Sequence, residues 1–301
     1  MTWYKGNIHT HTTESDGDGD PEFVTNWFKE HGYDFLVLSD HNHRTLLDHH
    51  DDDGPLMIPG EEVSARIFDV KVPIHINGIV ISRVVEPIEL DSIVETIQAN
   101  VDAIRQADGI SSINHPNYGW AFDHHDLIQI NGASLLEVYN AAPFVNNQGG
   151  AGKYSTEEIW DGVLSEGKVI FGVASDDSHH YYDFAQDKHN PGRGWVVVEA
   201  EELTQESIIY GLRNGLFYSS TVVELESVKS NSRQLQIMIS EYRDTLYRTV
   251  ISGEHGKIFA EVDGPDVEFD FKGNEVYVRA TVFSSNGRKA WTQPVFLPRD
   301  N

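Results

Sequence analysis

Through the first two-thirds of the chain, short apolar runs of strand length alternate with stretches of helical period. The runs are "DFLVLS" at 34–39, "PLMI" at 55–58, "INGIVI" at 76–81, "ISSIN" at 110–114, "SLLEVY" at 134–139 and "VIFGVAS" at 169–175. Between them, Phe23, Val24, Trp27 and Phe28 form an apolar stripe, with Asp20 placed to cap it, Pro21 at its first position and Gly32 at its end. Asp91 opens a second helical stretch with Ile93, Val94, Ile97, Val101 and Ile104 on one face. Ser155 and Glu158 have capping-box spacing ahead of Ile159, Trp160, Val163 and Leu164, and Gly167 closes that helix. Thr204 caps one more, which ends near Gly215. Strands alternating with helices predict an α/β unit. After about residue 221 the helical period disappears. "LQIMIS", "KIFAEV", "VEFDF" and "VYVRATVF" alternate or run apolar there, divided by Gly, Asn, Asp and Pro. The pattern predicts an α/β domain over 1–220 and a small all-β, sandwich-like accessory domain over 221–301.

Composition narrows the chemistry. The 301 residues are 39% hydrophobic, with 14 Phe, 12 Tyr and 6 Trp, enough for a packed core. A net charge of −26, from 22 basic and 48 acidic residues, argues against a broad nucleic-acid surface. A small anionic substrate remains compatible, because bound cations invert the local charge. The absence of cysteine removes disulfides, thiolate metal sites and a cysteine nucleophile together. Any metal must therefore be held by histidine and carboxylate, donors suited to zinc, manganese, iron or magnesium. The opening MTWYKGNIHTH has no apolar run of signal type, and no stretch reaches transmembrane length. The expectation is a cytoplasmic protein with no membrane contact. "DHHDDDGP" at 48–55 reads as a solvated loop.

The segment "NIHTHTTESDGDGDPEF" at 7–23 invites comparison with a calcium loop. From Asp16, the first ligand positions are met by Asp16, Asp18 and Asp20, but position six is Pro21 and position twelve is Trp27. The sharp turn and the closing glutamate of an EF-hand are both missing. Asp20 is taken by the helix start, which leaves Asp16 and Asp18 open.

Potential metal ligands recur beside the ends of successive apolar runs. His9 and His11 follow the first element, Asp40 and His41 follow "FLVLS", and Glu61 and Glu62 follow "LMIPG". His75 precedes "INGIVI", His115 follows "ISSIN", and Asp177 and His179 follow "VIFGVAS". In a barrel of parallel strands such ends converge on one face, where active sites lie. Scatter of 15 histidines does not readily place so many at strand ends, and the placement points to one shared metal site.

The chain resembles the PHP (polymerase and histidinol phosphatase) family of metal-dependent phosphoesterases. The resemblance is carried, in order, by "HTH" at 9–11, "SDG" at 15–17, "LSDHN" at 38–42, "GEEVS" at 60–64, "HINGI" at 75–79, "NHP" at 114–116, "EVYN" at 137–140 and "DSH" at 177–179. The continuation after residue 190 looks like a subgroup similar to the carbaryl-hydrolase type, some members of which cleave carboxyl or carbamate esters. The resemblance implies a distorted (β/α)7 barrel and two or three divalent ions, manganese, zinc or iron. His9, His11, Glu62 and Asp177 would hold the first ion, Glu62 would bridge to a second held by His75 and His115, and Asp16, His41 and His179 would hold the third. Asp16 stands where other members carry histidine, which would weaken or change the third site. Asp18 is then a turn residue, and Glu137 and Asn140 are supports for the ligands or a strand end.

The function expected is hydrolysis of a small phosphorylated metabolite by a metal-bound hydroxide attacking phosphorus. Asp40 and His179 are the candidate catalytic residues, Asp40 orienting His41 or moving a proton to the leaving group. Arg66, Arg193 and His180 are candidate substrate contacts, with Lys153 behind them, and Trp120 belongs to a pocket wall or to the core. His43, His49, His50, His124 and His125 lie in polar surroundings and read as solvent-exposed. Two rival readings stand beside this one: a carboxyl or carbamate ester hydrolase on the same fold, and a non-catalytic metal- or sugar-phosphate-binding protein.

Overall fold

The computed structural model describes residues 1–47, 54–67 and 72–297. Most of the loop expected at 48–55, with His49 and His50, lies outside the described residues. The fold is mixed α/β, with few helices and many strands. One sheet takes Gly60–Arg66, Pro73–Ile79, Ile110–Ile113, Leu135–Asn140 and Phe171–Ser175 in chain order, antiparallel through the first three strands and parallel through the last three. A long sheet runs from Lys257–Asp263 through Tyr247–Gly253, Tyr277–Ser284, Lys289–Thr292, Phe217–Ser220, Trp195–Ala200, Thr2–Asn7 and Phe35–Leu36 to Leu56–Met57. A third sheet holds Leu225–Ser230, Gln234–Ile239 and Asp266–Asp270. The β-rich tail is therefore hydrogen-bonded to the first part of the chain, Tyr218 pairing with Thr292 and Ser220 with Ala290.

None of these sheets closes on itself. Two single parallel bridges, Thr10 to Ser178 and His41 to Glu62, tie the strand ends of the long sheet to those of the five-stranded sheet. No helix among the described residues is long and apolar enough to cross a membrane.

Local signals explain the helices. Helix Pro21–Glu30 begins where the Asp20 carboxylate accepts Phe23 N–H, and the chain leaves it through Gly32 at φ 70°. Helix Ile93–Gln106 is capped by Ser92, one residue after the expected Asp91. At helix Thr156–Ser165 both bonds of the capping box form between Ser155 and Glu158. Helix Gln205–Asn214 runs from Thr204 to a left-handed Gly215.

The apolar faces of Ile93–Gln106 and Thr156–Ser165, including Ile97, Val101, Ile104 and Trp160, pack on the five-stranded sheet. Ile8, Val37, Ile79, Leu135 and Val173 form another core shared by both large sheets. Strands Gly60–Arg66, Trp195–Ala200, Leu225–Ser230, Tyr247–Gly253 and Lys289–Thr292 fall outside the runs singled out above. Conversely, "DFLVLS" gives only the two ladder residues Phe35–Leu36, although Val37 and Ser39 still donate to the carbonyls of Asn7 and Thr10.

Candidate metal centre

Strand alternation sends the neighbouring carboxylates Glu61 and Glu62 to opposite faces of Gly60–Arg66. Glu61 accepts Val85 N–H at 2.6 Å, and burial pushes its carboxyl up to about 7. Glu62 instead meets a ring of imidazoles. Its Oε1 lies 3.3 Å from His9 Nε2, 3.3 Å from His115 Nε2 and 3.2 Å from His75 Nδ1. Its Oε2 lies 3.5 Å from His11 Nε2 and 2.8 Å from His41 Nδ1. Asp177 Oδ1 is 3.3 Å from both His9 Nε2 and His11 Nε2. Asp16 Oδ1 is 3.1 Å from His179 Nε2, 3.6 Å from His41 Nε2 and 3.8 Å from His11 Nδ1.

Ligand atoms around an ion with bonds of about 2.1 Å sit roughly 3.0–3.4 Å apart, and most of these spacings fall in or near that range. The groups His11–Asp16–His41–His179, His9–His115–Asp177, His9–His11–Glu62 and His41–Glu62–His75 each present ligand atoms within 4.8 Å of one another. His9 Nε2 and His11 Nε2 are buried without a hydrogen-bond partner, as ligand nitrogens awaiting a cation would be. The nitrogen and oxygen donors fit divalent ions, and the structure brings together every residue that the resemblance assigns to metal.

Supporting contacts fix the donors. Glu137 Oε1 lies 2.7 Å from His9 Nδ1; a carboxylate there accepts a hydrogen bond from Nδ1–H, keeps the proton on that nitrogen and leaves Nε2 free to coordinate. Glu137 is itself held by the Ser175 hydroxyl, the His115 N–H and the Asn140 amide. Asn114 donates to Glu62 Oε1 at 2.8 Å and to Asn77, whose amide donates to the Ile8 carbonyl. His179 Nδ1 donates to the Asp177 carbonyl at 2.9 Å, so its Nε2 faces Asp16 unprotonated unless the ring is charged. Backbone geometry is strained where the ligands sit: His115 has φ 24° and Asp177 φ 49°. Gly17 lets the turn carrying Asp16 press on the first strand end, since a Cβ there would lie 2.6 Å from the His11 carbonyl oxygen.

Electrostatics match. Burial opposes ionisation of Glu62 and Asp177, but the surrounding histidines outweigh it and hold both carboxyls well below their ordinary range. Burial, then repulsion from His179, lowers His11 to about 4. His41 is pulled down by burial, yet its hydrogen bonds to Asp16 and Glu62 prevail and raise it to about 10. The cluster thus keeps its carboxylates charged and crowded with nitrogen donors.

Other candidates sit elsewhere. Asp40, expected to orient His41 or move a proton, spends its carboxylate on Thr12 N–H, the Thr12 and Ser15 hydroxyls and the Thr45 hydroxyl. It organises the 12–15 turn, and Ser64 Oγ, 2.6 Å from His41 Nδ1, contacts the imidazole instead. The Arg193 guanidinium is turned away into its own loop, donating to the carbonyls of Lys188 and Ala185 and to Asn190 Oδ1. Arg66 is exposed at the far end of its strand, opposite Pro73. Lys153 and Trp120 line a different hollow. Asp18 accepts Tyr181 N–H, a turn contact. His43 and His125 are exposed, whereas His124 is partly buried against Gly162.

A cavity of about 280 Å³ opens over the cluster, and His180 is among the residues that line it. His189, Tyr118 and Phe144 line it as well, and no motif had marked them.

No family model matches the chain, and no curated protein matches it in sequence. Solved structures do. A two-domain protein from Bacteroides vulgatus, described as containing a predicted PHP-like metal-dependent phosphoesterase, aligns over 97% of this chain and 95% of its own, with a TM-score of 0.54 at 17% identity. A candidate metal-dependent phosphoesterase of Bifidobacterium adolescentis aligns over 69% of this chain and 95% of its own, with a TM-score of 0.45 at 14% identity. An amidohydrolase of Chromobacterium violaceum, solved with sulfate and no metal, aligns over 69% and 96%, with a TM-score of 0.43 at 15% identity. The chain shares the fold of the two-domain PHP-like protein along nearly its whole length.

Proposed function

We propose that this protein is a metal-dependent phosphoesterase of the PHP type, acting on a small phosphorylated metabolite. The observation that carries the reading is Glu62, a buried carboxylate within 3.5 Å of nitrogens from His9, His11, His41, His75 and His115. On this reading His9, His11, Glu62 and Asp177 hold one divalent ion, Glu62 shares a second with His75 and His115, and Asp16, His41 and His179 hold a third. Such ions supply Lewis acidity and activate water at neutral pH. Manganese, zinc and iron all suit the donors.

The chain's own residues do the positioning. Glu137 sets the tautomer of His9, Asn114 fixes the rotamer of Glu62, and Asp16 at the cavity mouth meets substrate and solvent. We assign the five-stranded sheet, with strands Thr2–Asn7, Phe35–Leu36, Leu56–Met57, Trp195–Ala200 and Phe217–Ser220 of the long sheet, to one distorted sevenfold barrel, and the long sheet's remaining strands, with the rest of 221–301, to an accessory domain.

Hydrolysis of a carboxyl or carbamate ester is the second reading. It is favoured by one observation: among the described residues, no lysine or arginine lines the cavity to recognise a phosphate dianion. Manganese-loaded wild type and Asp177→Asn, assayed on an aryl phosphomonoester, an aryl phosphodiester and an aryl carboxylate ester, separate the two. Phosphoester turnover that vanishes in the variant is the expected result; turnover of the carboxylate ester alone would transfer the protein to the second reading.

A further inference from the structure

The cavity over the metal cluster has a floor and a rim of different character. Its floor is the histidines and carboxylates already described. Its rim is Tyr118, Ala142, Phe144, Val145, His180 and His189. Phe144 is 64% exposed and Tyr118 43% exposed, so both rings offer free surface at the opening rather than filling a core. Tyr118 stands edge-on to His115 with centroids 5.4 Å apart, on the side of the cluster that carries His75. Phe144 lies against His189, centroids 6.3 Å apart, and His189 stands edge-on to His179 at 5.1 Å. The two aromatic rings therefore border the floor from the sides of His115 and His179.

His189 is held there by its loop. Its carbonyl accepts the N–H groups of both His179 and His180, at 2.8 and 2.9 Å. Asn190 next to it donates to the carbonyls of His180 and Asp183, and Arg193 staples Ala185, Lys188 and Asn190. The Nδ1 atoms of His180 and His189 are buried and bond to nothing in the protein. A rim fixed in this way, built of rings and aliphatic side chains, rewards burial of an apolar group by about 25 cal/mol per Å² removed from water. Aryl groups gain further from edge or offset contact with Phe144 and Tyr118.

We propose that this rim selects esters whose remote group is an uncharged aryl or comparably flat apolar moiety, with Phe144 and Tyr118 as its contact surfaces and His189 as the residue that positions the Phe144 side. The inference rests on the reading of the floor as a metal-dependent phosphoesterase site. It excludes remote groups bearing a second phosphate, which would meet no lysine or arginine among the described rim residues and would face a protein of net charge −26.

The test uses two phosphonates that cannot turn over, titrated by calorimetry into the manganese-loaded full-length protein. Phenylphosphonate is expected to bind at least tenfold more tightly than methylphosphonate. Phe144→Ala, at a position 64% exposed, is expected to bring the two within about threefold by weakening phenylphosphonate. His189→Ala is expected to reduce the preference as well, with manganese stoichiometry unaltered. Equal affinities in the wild type, or a preference untouched by Phe144→Ala, would overturn the rim assignment and leave the metal site standing. Failure of both phosphonates to bind the loaded protein would overturn the phosphoesterase reading, and the rim assignment with it.

Discussion

Arg279, on strand Tyr277–Ser284 of the tail, grips Asp161 on helix Thr156–Ser165 through two parallel hydrogen bonds of 2.7 Å, and both side chains are buried. Tyr277 adds its hydroxyl to Asp161 Oδ1, and the guanidinium lies over the Trp160 ring. Removing the arginine alone would leave Asp161 charged and unpaired in the interior. Arg279→Ala is expected to cost about 3–5 kcal/mol, read from the urea midpoint, because a broken buried pair loses more than the pair contributed. The double variant Arg279→Met, Asp161→Leu is expected to recover a large part of that loss.

The same junction has a pH signature. Burial would raise the Glu157 carboxyl, but Arg279 and then Lys289 outweigh it and lower it. A carboxyl lowered by folding contributes stability that is complete above its ordinary 4.5 and fades as pH falls through the folded value. Wild type should therefore lose stability more steeply than Glu157→Gln below pH 4.5, while at pH 7 the variant should be the less stable. Parallel acid limbs in thermal melts would contradict this assignment.

At the metal centre, Asp177→Asn removes the negative charge beside His9 and His11 and turns one carboxylate oxygen into an amide nitrogen. Turnover by the manganese-loaded variant is expected to fall at least a hundredfold, with bound metal falling alongside it in elemental analysis.

Glu137→Gln is a finer probe, since Glu137 touches His9 from behind. Manganese affinity is expected to drop about 10–100-fold, the usual loss for an outer hydrogen-bond partner of a ligand. Saturating metal should restore most of the turnover, which a ligand deletion would not allow.

Chelation provides a test of stability without substrate. Manganese at a hundred times its dissociation constant is expected to add about 2.7 kcal/mol to unfolding, and dialysis against a chelator should remove it. Gly17→Ala should blunt the gain, because its methyl group would collide with the His11 carbonyl and displace Asp16.

How legible this was in the sequence depended on what each residue answers to. Caps at Asp20, Ser155 and Thr204 were readable because a cap is a local bond between residues three apart. Strand Gly60–Arg66 was missed because Glu61 and Glu62 interrupt the apolar pattern, although both are buried. Its polarity belongs to the site, not to the surface. The clustering of His9, Glu62 and Asp177 followed from their positions beside the ends of apolar runs, whereas Asp16 entered only through the family resemblance. Asn77, Asn114 and Ser64 stand inside the quoted motifs, but neither their roles nor that of His189 were readable, since common polar residues acquire a role only through neighbours far away in the chain. Arg193 misled for the opposite reason: nearness to "DSH" in sequence did not tell that its hydrogen bonds were already taken.

At the single bridges Thr10–Ser178 and His41–Glu62 the two large sheets meet along a seam of separate backbone bonds rather than a continuous ladder, among them His11 N–H to Ser178, Asp177 N–H to His9 and Glu62 N–H to Ser39. His9, His11, Asp16 and His41 reach the seam from one side; Glu62, His75, His115 and Asp177 reach it from the other. Ions bound among them would act as rivets between two plates. Each rivet also closes a long loop of chain, so loading would tighten the molecule as a cross-link does. An emptied centre would then part first along this seam, with each sheet still intact and Ile8 and Val37 newly wetted between them.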